Sequence, residues 1–521
     1  MIKLLYIVIF LALSFVYVKN ALHMFQQNRY EFYRYSKWLF DKKNIHFTIT
    51  LIYVFVMLIV TLFMKNTVNI VVTLIITALF AALMIYREMK KEYIKPLVLT
   101  WRVKRQLVVM TILMALVVWG LVSLFKSKLS IVGILTVFIP YLLIYPMALI
   151  TLPLENLVKK SFENKARDII DGMDNLIKIG ITGSFGKTTT KNVVTDIIGD
   201  SFYTLMTPAS YNTPMGITRT IREHLKPIHE VFVCEMGADH VGEITYLMDF
   251  IKPKYGIVTS IGPQHLNTFR SMDNIINEKM QMIEKLPEDG VGIIYLDNEY
   301  IRNYPIQNKC KIISVGIKNE EADYVAKNIK YSKDGSKFTV TINKHKYSFE
   351  TVLLGVHNIK NILIGIALAV ELGIPVEDIQ SSVRNIKYVE HRLEVKKINN
   401  YTFIDNAFNS NPEGSKMSLD VLSMMPGKRV IVTPGLIDLG TEENRYNYEF
   451  GSYMKDKADF VILVGEKQTE HIHRGLKESG YDMENVLVMK SVKEAFDYVY
   501  KHFSSKDTIL LENDLPDAFS H

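Results

Sequence analysis

Residues 180–190 read GITGSFGKTTT, a combination of glycine, lysine and hydroxyl side chains suited to holding a phosphate. The apolar run Leu176 to Ile181 precedes it and reads as a buried strand, and KNVVTDIIGD after it has helical apolar spacing. In a strand–turn–helix of this kind, backbone N–H groups face the anion, the helix N-terminus favours it and Lys187 adds a full charge. The expected ATP contacts are Gly183, Ser184, Phe185, Gly186, Lys187, Thr188 and Thr189, and the Thr188 hydroxyl is placed to reach a magnesium ion. The strict spacing G-x-x-x-x-G-K-[ST] needs glycine at 181, where Ile181 stands, and glycine falls at 180, 183 and 186 instead.

Further polar residues sit at the ends of apolar runs. Glu235 closes VFVCEMGA, and a carboxylate at the C-terminal end of a parallel strand faces the ligand crevice, where it can hold magnesium. His265 lies in GPQHLNTF, and Lys279 follows on a helical stretch, SMDNIINEKMQMIEKL; taken alone, each is ordinary. GVHNIKN (355–361) opens a helical run and puts Asn358 and Asn361 on one face, where their amides suit an adenine edge or simply cap a helix. FIDNAFNSNPEGS (403–415) leaves a strand at Asp405, a position for a ribose contact, and Asn409, Ser410, Asn411 and Pro412 also make a good structural turn.

The elements that must position these residues fall into three parts, in a chain of 521 residues. The first part, residues 1–155, is an α-helical membrane region with five apolar spans, near 3–18, 45–64, 68–86, 106–125 and 130–152. The loops 19–44 and 87–105 are rich in lysine and arginine, so the positive-inside rule puts them on the cytoplasmic side. The N-terminus is then outside, and everything after about residue 153 is cytoplasmic, at a bacterial cytoplasmic membrane. Charge divides the same way: residues 1–160 hold 19 Lys+Arg against 5 Asp+Glu, so the overall +7 belongs to the membrane part. Nothing marks the remainder as nucleic-acid binding. The second part, 170–388, alternates β and α and reads as a P-loop parallel-sheet ATPase domain, with a β-hairpin near Lys333-Asp334-Gly335. The third, 389–521, reads as a Rossmann-like C-terminal α/β domain. The two cysteines, Cys234 and Cys310, lack a CxxC partner, which excludes a disulfide framework or a zinc site as an expectation.

Taken in order over about 175–465, GITGSFGKTTTK, SYNTPMGI (210–217), EMGA (235–238), HNIKN (357–361) and DNAFNSNP (405–412) resemble the Mur ligase family of ATP-dependent amide ligases. They look most like the branch that adds D-alanyl-D-alanine to a UDP-linked muramoyl tripeptide. The resemblance implies ATP and Mg2+ as cofactors, with Thr188 and Glu235 at a first magnesium. It implies a carbamylated Lys279 with His265 at a second, and Lys187, His265 and Lys279 as the catalytic set. It also implies adenine contacts from Asn358 and Asn361, a ribose contact from Asp405 and a phosphate contact from Arg392, in EHRLE. Asn212, Thr213, Asn409 and Asn411 are the implied substrate-side residues. Three departures stand out. Membrane spans replace the family's uridine-nucleotide domain, the acidic G-D-M-x-E-L-G segment is PGLIDLG with Asp438, and LLENDLPD (510–517) replaces a K-G-S-type segment.

The implied reaction activates a carboxylate of a cell-envelope precursor as an acyl phosphate and joins it to the amine of an amino acid or a dipeptide such as D-Ala-D-Ala. The acceptor is nucleotide-linked in the family's usual reaction. A lipid-linked glycan or a poly-γ-glutamate-type polymer is the alternative that the membrane region favours. A membrane transport ATPase is a reading of another class, opposed by spans without acidic residues and by the lack of an ABC-type signature. A catalytically dead scaffold is opposed by the intact Lys187, Glu235, His265 and Lys279.

Overall fold

The architecture is that of a computed structural model. It describes residues 2–40, 48–64, 66–91, 93, 96–126, 128–332, 335–407, 411–437, 439 and 442–513. The chain forms two compact units, Met1–Ser161 and Phe162–His521.

The first unit is helical. Its helices are Ile2–Gln27, Phe32–Phe40, Thr48–Phe63, Asn66–Lys90 and Trp101–Leu124, followed by Leu129–Asp171, which continues into the second unit's sequence. Four helices are long and apolar enough to cross a membrane: those spanning Leu5–Gln27, Thr67–Lys90, Trp101–Leu124 and Leu129–Asp171. The stretch expected to span at 45–64 forms a helix of 16 residues. At 1.5 Å per residue it reaches roughly 24 Å, short of a hydrocarbon core of about 30 Å. Residues 41–47, just before it, lie outside the described residues. The expected basic loop 19–44 is mostly helix, because the first helix runs on to Gln27 and Phe32–Phe40 adds a short amphipathic one. Several polar groups inside this unit are paired: Lys19 Nζ donates to Glu88 Oε1 at 2.8 Å, and Tyr53 Oη and Thr77 Oγ1 are 3.0 Å apart.

The second unit holds two sheets that position the polar residues. The first sheet contains β1 (Ile177–Thr182), β2 (Thr204–Met206), β3 (Val231–Glu235), β4 (Tyr255–Val258), β5 (Val291–Tyr295), β6 (Lys311–Gly316) and β7 (Tyr324–Val325). Its order is β2-β3-β1-β4-β5-β6-β7, and every pairing is parallel. Both faces are covered, so the strands are apolar at consecutive positions and alternate between two cores. Val231 and Val233 pack with the helices Lys187–Ile198 and Val356–Glu371, while Phe232 and Cys234 pack with Glu243–Ile251 and Met272–Glu284 on the other side. The chain leaves β1 for β2 and β3, then crosses to β4 on the other flank. The carboxyl ends of β1, β3 and β4 therefore meet at a topological switch point, where open α/β sheets bind ligands.

β8 (Lys327–Ser332), β9 (Gly335–Ile342) and β10 (His345–Thr351) form a separate antiparallel sheet. Lys333 and Asp334 of the expected hairpin turn lie outside the described residues. A second hairpin follows, not anticipated from the sequence, and turns at Asn343 and Lys344, both with positive φ (50° and 67°), as a two-residue hairpin requires.

The second large sheet contains β11 (Glu394–Ile398), β12 (Tyr401–Asn406), β13 (Arg429–Thr433), β14 (Phe460–Val464), β15 (Val486–Met489) and β16 (Thr508–Glu512). Its order is β11-β12-β16-β13-β14-β15, parallel except for the edge pair β11-β12. Glu512, fully buried at the end of β16, accepts from Asn406 Nδ2 at 2.9 Å, Ser415 Oγ at 2.7 Å and Ser418 Oγ at 2.6 Å. One carboxylate thus fastens the ends of two strands to the helix Pro412–Ser423. Its removal takes a charged acceptor from three buried side chains, so Glu512→Ala is expected to cost ~2–4 kcal/mol of stability and Glu512→Gln less, read as the fall in thermal melting temperature.

Candidate active site

The turn after β1 is built by two glycines and by the strand beside it. Gly183 has φ +148°, and a Cβ there would stand 2.2 Å from Thr259 Oγ1 and 2.9 Å from Ser260 O. That contact is why the loop's glycine falls at 183: the neighbouring chain after β4 passes directly against it. Gly186, at φ +83°, ends the turn and starts the helix Lys187–Ile198. The loop is fixed to its neighbour by Ser184 N donating to Ser260 O (2.7 Å), Ser184 Oγ to Gly262 O (2.9 Å) and Thr259 Oγ1 to Phe185 O (2.6 Å). Gly180 and Ile181 belong to β1 itself; a Cβ on Gly180 would meet Met282 Sδ at 2.9 Å, so this glycine serves packing. Lys187 folds back over the turn and donates to Gly183 O (2.7 Å) and Ser184 O (3.1 Å). Burial pushes its ammonium down to about 8, Glu235 opposes that shift and Arg392 adds to it.

Glu235, 1% exposed at the end of β3, is the centre of the arrangement. Its Oε1 accepts from Thr188 Oγ1 at 3.2 Å and from Asn212 Nδ2 at 2.9 Å, and its backbone N–H donates to Thr207 Oγ1 at 3.0 Å. Its Oε2 lies 3.5 Å from Lys191 Nζ, an ion-pair distance without hydrogen-bond geometry, and has no hydrogen-bond partner among the described residues. Lys191, fully buried, donates instead to Ala209 O. A buried carboxylate oxygen left open beside a threonine hydroxyl is a hard-oxygen donor set that fits Mg2+. Thr213, next to Asn212, is exposed and caps the helix Pro214–His224 by accepting from Gly216 N at 3.3 Å.

Lys279 is 1% exposed on the helix Met272–Glu284, and its Nζ donates to Ala238 O at 3.0 Å, three residues beyond Glu235. Burial, and then the charge of Lys187, push its ammonium down to about 7, against the pull of Glu278, Glu243 and Asp239. His265 is half-buried with φ +54° and opens the short helix Leu266–Phe269, whose Phe269 ring centroid lies 5.6 Å from Lys279 Nζ.

A cleft beside the loop is lined by Phe185, Gly186, Thr189, Asn358, Asn361, Arg392, Asn406 and Asn411, among others. The structure therefore brings together the turn, both asparagines of HNIKN and Arg392. Asn361 Oδ1 accepts from Thr190 Oγ1 at 3.0 Å, and Asn358 Nδ2 donates to Leu354 O at 2.8 Å. Asn411 caps the helix Pro412–Ser423, accepting from Gly414 N at 2.9 Å. Asp405 does not line the cleft; it accepts from His391 Nδ1 at 2.7 Å and from Lys396 Nζ. Burial raises its pKa, but these hydrogen bonds outweigh burial and leave it below the usual value. Its neighbour Asn406 takes the lining position. Asn409 and Asp438 lie outside the described residues.

Residues 181–369 match the Mur ligase middle domain, and residues 391–512 match the Mur ligase glutamate ligase domain. This chain belongs to the Mur ligase family. Over 292 residues this Mur ligase is 28% identical to the UDP-N-acetylmuramoyl-tripeptide–D-alanyl-D-alanine ligase of Escherichia coli, covering 56% of this chain and 64% of that one. The chain thus spans less than two thirds of that relative's length. The Bacillus subtilis protein of the same name is 28% identical over 338 residues, covering 64% of this chain and 72% of that one. In fold, the chain resembles MurF from Acinetobacter baumannii, with a TM-score of 0.62, 23% identity and coverage of 70% of this chain and 78% of that one.

Sequence reading passed over three residues of this Mur ligase that the structure places at the site: Lys191, His357 and Lys360. Each had a signal, a polar side chain within a helical apolar run. His357 Nε2 is 3.6 Å from Glu413 Oε1, yet burial, aided by Lys360, depresses its pKa to about 3, so it is neutral and the contact is not an ion pair. The unfolded chain binds a proton near 6.5 that the folded chain refuses until about 3, so this histidine's contribution is present above 6.5 and is lost as pH falls through that window. His357→Gln should flatten the fall of melting temperature between pH 6 and pH 4 relative to the parent protein; parallel curves would contradict the assignment.

Proposed function

We propose that this protein is an ATP-dependent carboxylate–amine ligase of the MurF type, joining the amine of D-Ala-D-Ala to a UDP-linked muramoyl tripeptide. The observation that carries the reading is the Glu235 carboxylate, held by Thr188 and Asn212 beside the glycine turn with one oxygen left open. In the first step the substrate carboxylate attacks the γ-phosphorus of ATP; an O–P bond forms, the bond to ADP breaks and an acyl phosphate results. The amine then attacks the acyl carbon, phosphate leaves with the bonding pair, and the nitrogen releases a proton. Lys187, seated on the turn, faces the charge that spreads over the transferring phosphoryl group. The N–H groups of Gly183, Phe185 and Gly186 hold the adjoining phosphates, Arg392 reaches them from the second sheet's side of the cleft, and Asn358 and Asn361 take the adenine. Asn212 links the magnesium-side carboxylate to the substrate loop that Thr213 continues.

Magnesium bound by Thr188 and Glu235, and by His265 with a carbamylated Lys279, would supply charge neutralisation on the phosphates. Carbamylation needs a neutral amine, and burial beside Lys187 favours one at Lys279 near pH 7. The four membrane-length helices support a location of the ligase domains at a membrane, and the basic residues of 87–105, two spans before those domains, favour the cytoplasmic side for them.

The detergent-solubilised chain is expected to release phosphate from ATP only when the UDP-linked tripeptide and D-Ala-D-Ala are both present, with an amide product of matching mass. Hydrolysis indifferent to every amine would sink the ligase reading. Lys187→Ala should lower the rate ~10²-fold or more, and Lys279→Ala should lose activity that a short-chain carboxylic acid restores. The membrane-length helices also favour a second reading, in which they present a lipid-linked carboxylate. Full activity of a chain lacking residues 1–161 on the UDP-linked acceptor would rule that out.

A further inference from the structure

Lys360 stands between the two asparagines of HNIKN, on the helix Val356–Glu371. It is 2% exposed and lines the cleft. Its Nζ lies 3.7 Å from where a Cβ on Gly186 would stand, beside the last residue of the glycine turn. It is 5.2 Å from the Tyr295 ring centroid, and among the described residues it makes no hydrogen bond. The nearby acids do not complete it. Both carboxylate oxygens of Asp297 are taken, by the Tyr295 hydroxyl and the backbone N–H groups of Ile317, Lys318 and Asn319, and the Glu413 side chain is 53% exposed. Among the described residues, the buried ammonium therefore lines the cleft with a ring face beside it and no hydrogen-bond acceptor. An ammonium in that position calls for an anion from outside the chain.

We propose that Lys360 is a second cation of the nucleotide site, donating to the phosphate chain of the bound nucleotide beside Gly186. The inference rests on the ATP reading above and adds a residue to it. Lys187, committed to the carbonyls of Gly183 and Ser184, holds the turn from one side, and Lys360 meets the phosphates from the helix of the asparagines. Burial lowers its pKa, which marks the cost of holding this charge without a partner and the gain when a polyphosphate arrives.

The test compares the full solubilised chain with Lys360→Met and Lys360→Arg, measuring affinity for ATP, ADP and adenosine by calorimetry and melting temperature with and without ADP. Lys360→Met should weaken ATP and ADP at least tenfold and leave adenosine unchanged, with Lys360→Arg recovering part of the loss. Without nucleotide the Met variant should melt higher than the parent, because an unpaired buried charge is gone, and its gain on adding ADP should shrink. Equal weakening of ADP and adenosine would assign Lys360 to the base or ribose and overturn the proposal. So would unchanged affinities, or a Met variant that melts lower or does not fold. If the parent protein itself binds neither ATP nor ADP, the ATP reading fails first and this inference with it.

Discussion

One buried carboxylate organises the cleft end of the first large sheet. Glu235 closes an entirely buried strand, second from the edge of a parallel sheet, and its oxygens are met by a threonine of the glycine-turn helix, an asparagine of the 210–217 loop and a lysine one turn further along that helix. A charge in that place has to be neutralised from several directions. The first strand, the loop after β2 and the helix Lys187–Ile198 therefore converge on it, and the switch in strand order between β1 and β4 gives them room to do so.

Around that carboxylate the site gathers more positive charge than it can neutralise. Lys191, Lys279 and Lys360 are buried and Lys187 is half-buried, and desolvation drives all four towards the neutral amine. Among the described residues, only Glu235 is a direct carboxylate partner to one of them, while backbone carbonyls serve Lys187 and Lys279. Such a surplus is destabilising in the protein alone and favourable once a polyanion binds. The electrostatics and the shape of the turn thus point to the same class of ligand. The second sheet supplies the opposite wall, where Arg392 and Asn406 enter the cleft while Asp405 is spent on His391 and Lys396.

The first unit answers to a different constraint. Its helices carry apolar side chains outward, with Leu62, Phe63, Leu124 and Trp119 among the exposed ones, and keep polar groups such as Tyr53, Thr77, Lys19 and Glu88 paired within. This is the inverse of the ligase region and the pattern that a hydrocarbon solvent demands.

Much of the fold was legible in the chain itself. Strands such as Arg429–Thr433 and Phe460–Val464 appear where apolar runs end at turn residues, because strands buried on both faces admit few polar side chains. The glycine turn, Glu235 at a strand end and the HNIKN helix were readable for a local reason: each depends on a short segment adopting one conformation. The short β2, the polar edge strand β11 and the second hairpin at Asn343–Lys344 were not, since pairing with a neighbour, rather than their own pattern, makes them strands. What only the tertiary structure decided is which charges meet. Residues 187, 279 and 360 are distant along the chain, and three lysines look alike in a sequence. Burial and proximity distinguish them, by making one a cradle cation, one an amine near neutrality and one an ammonium without a hydrogen-bond partner among the described residues.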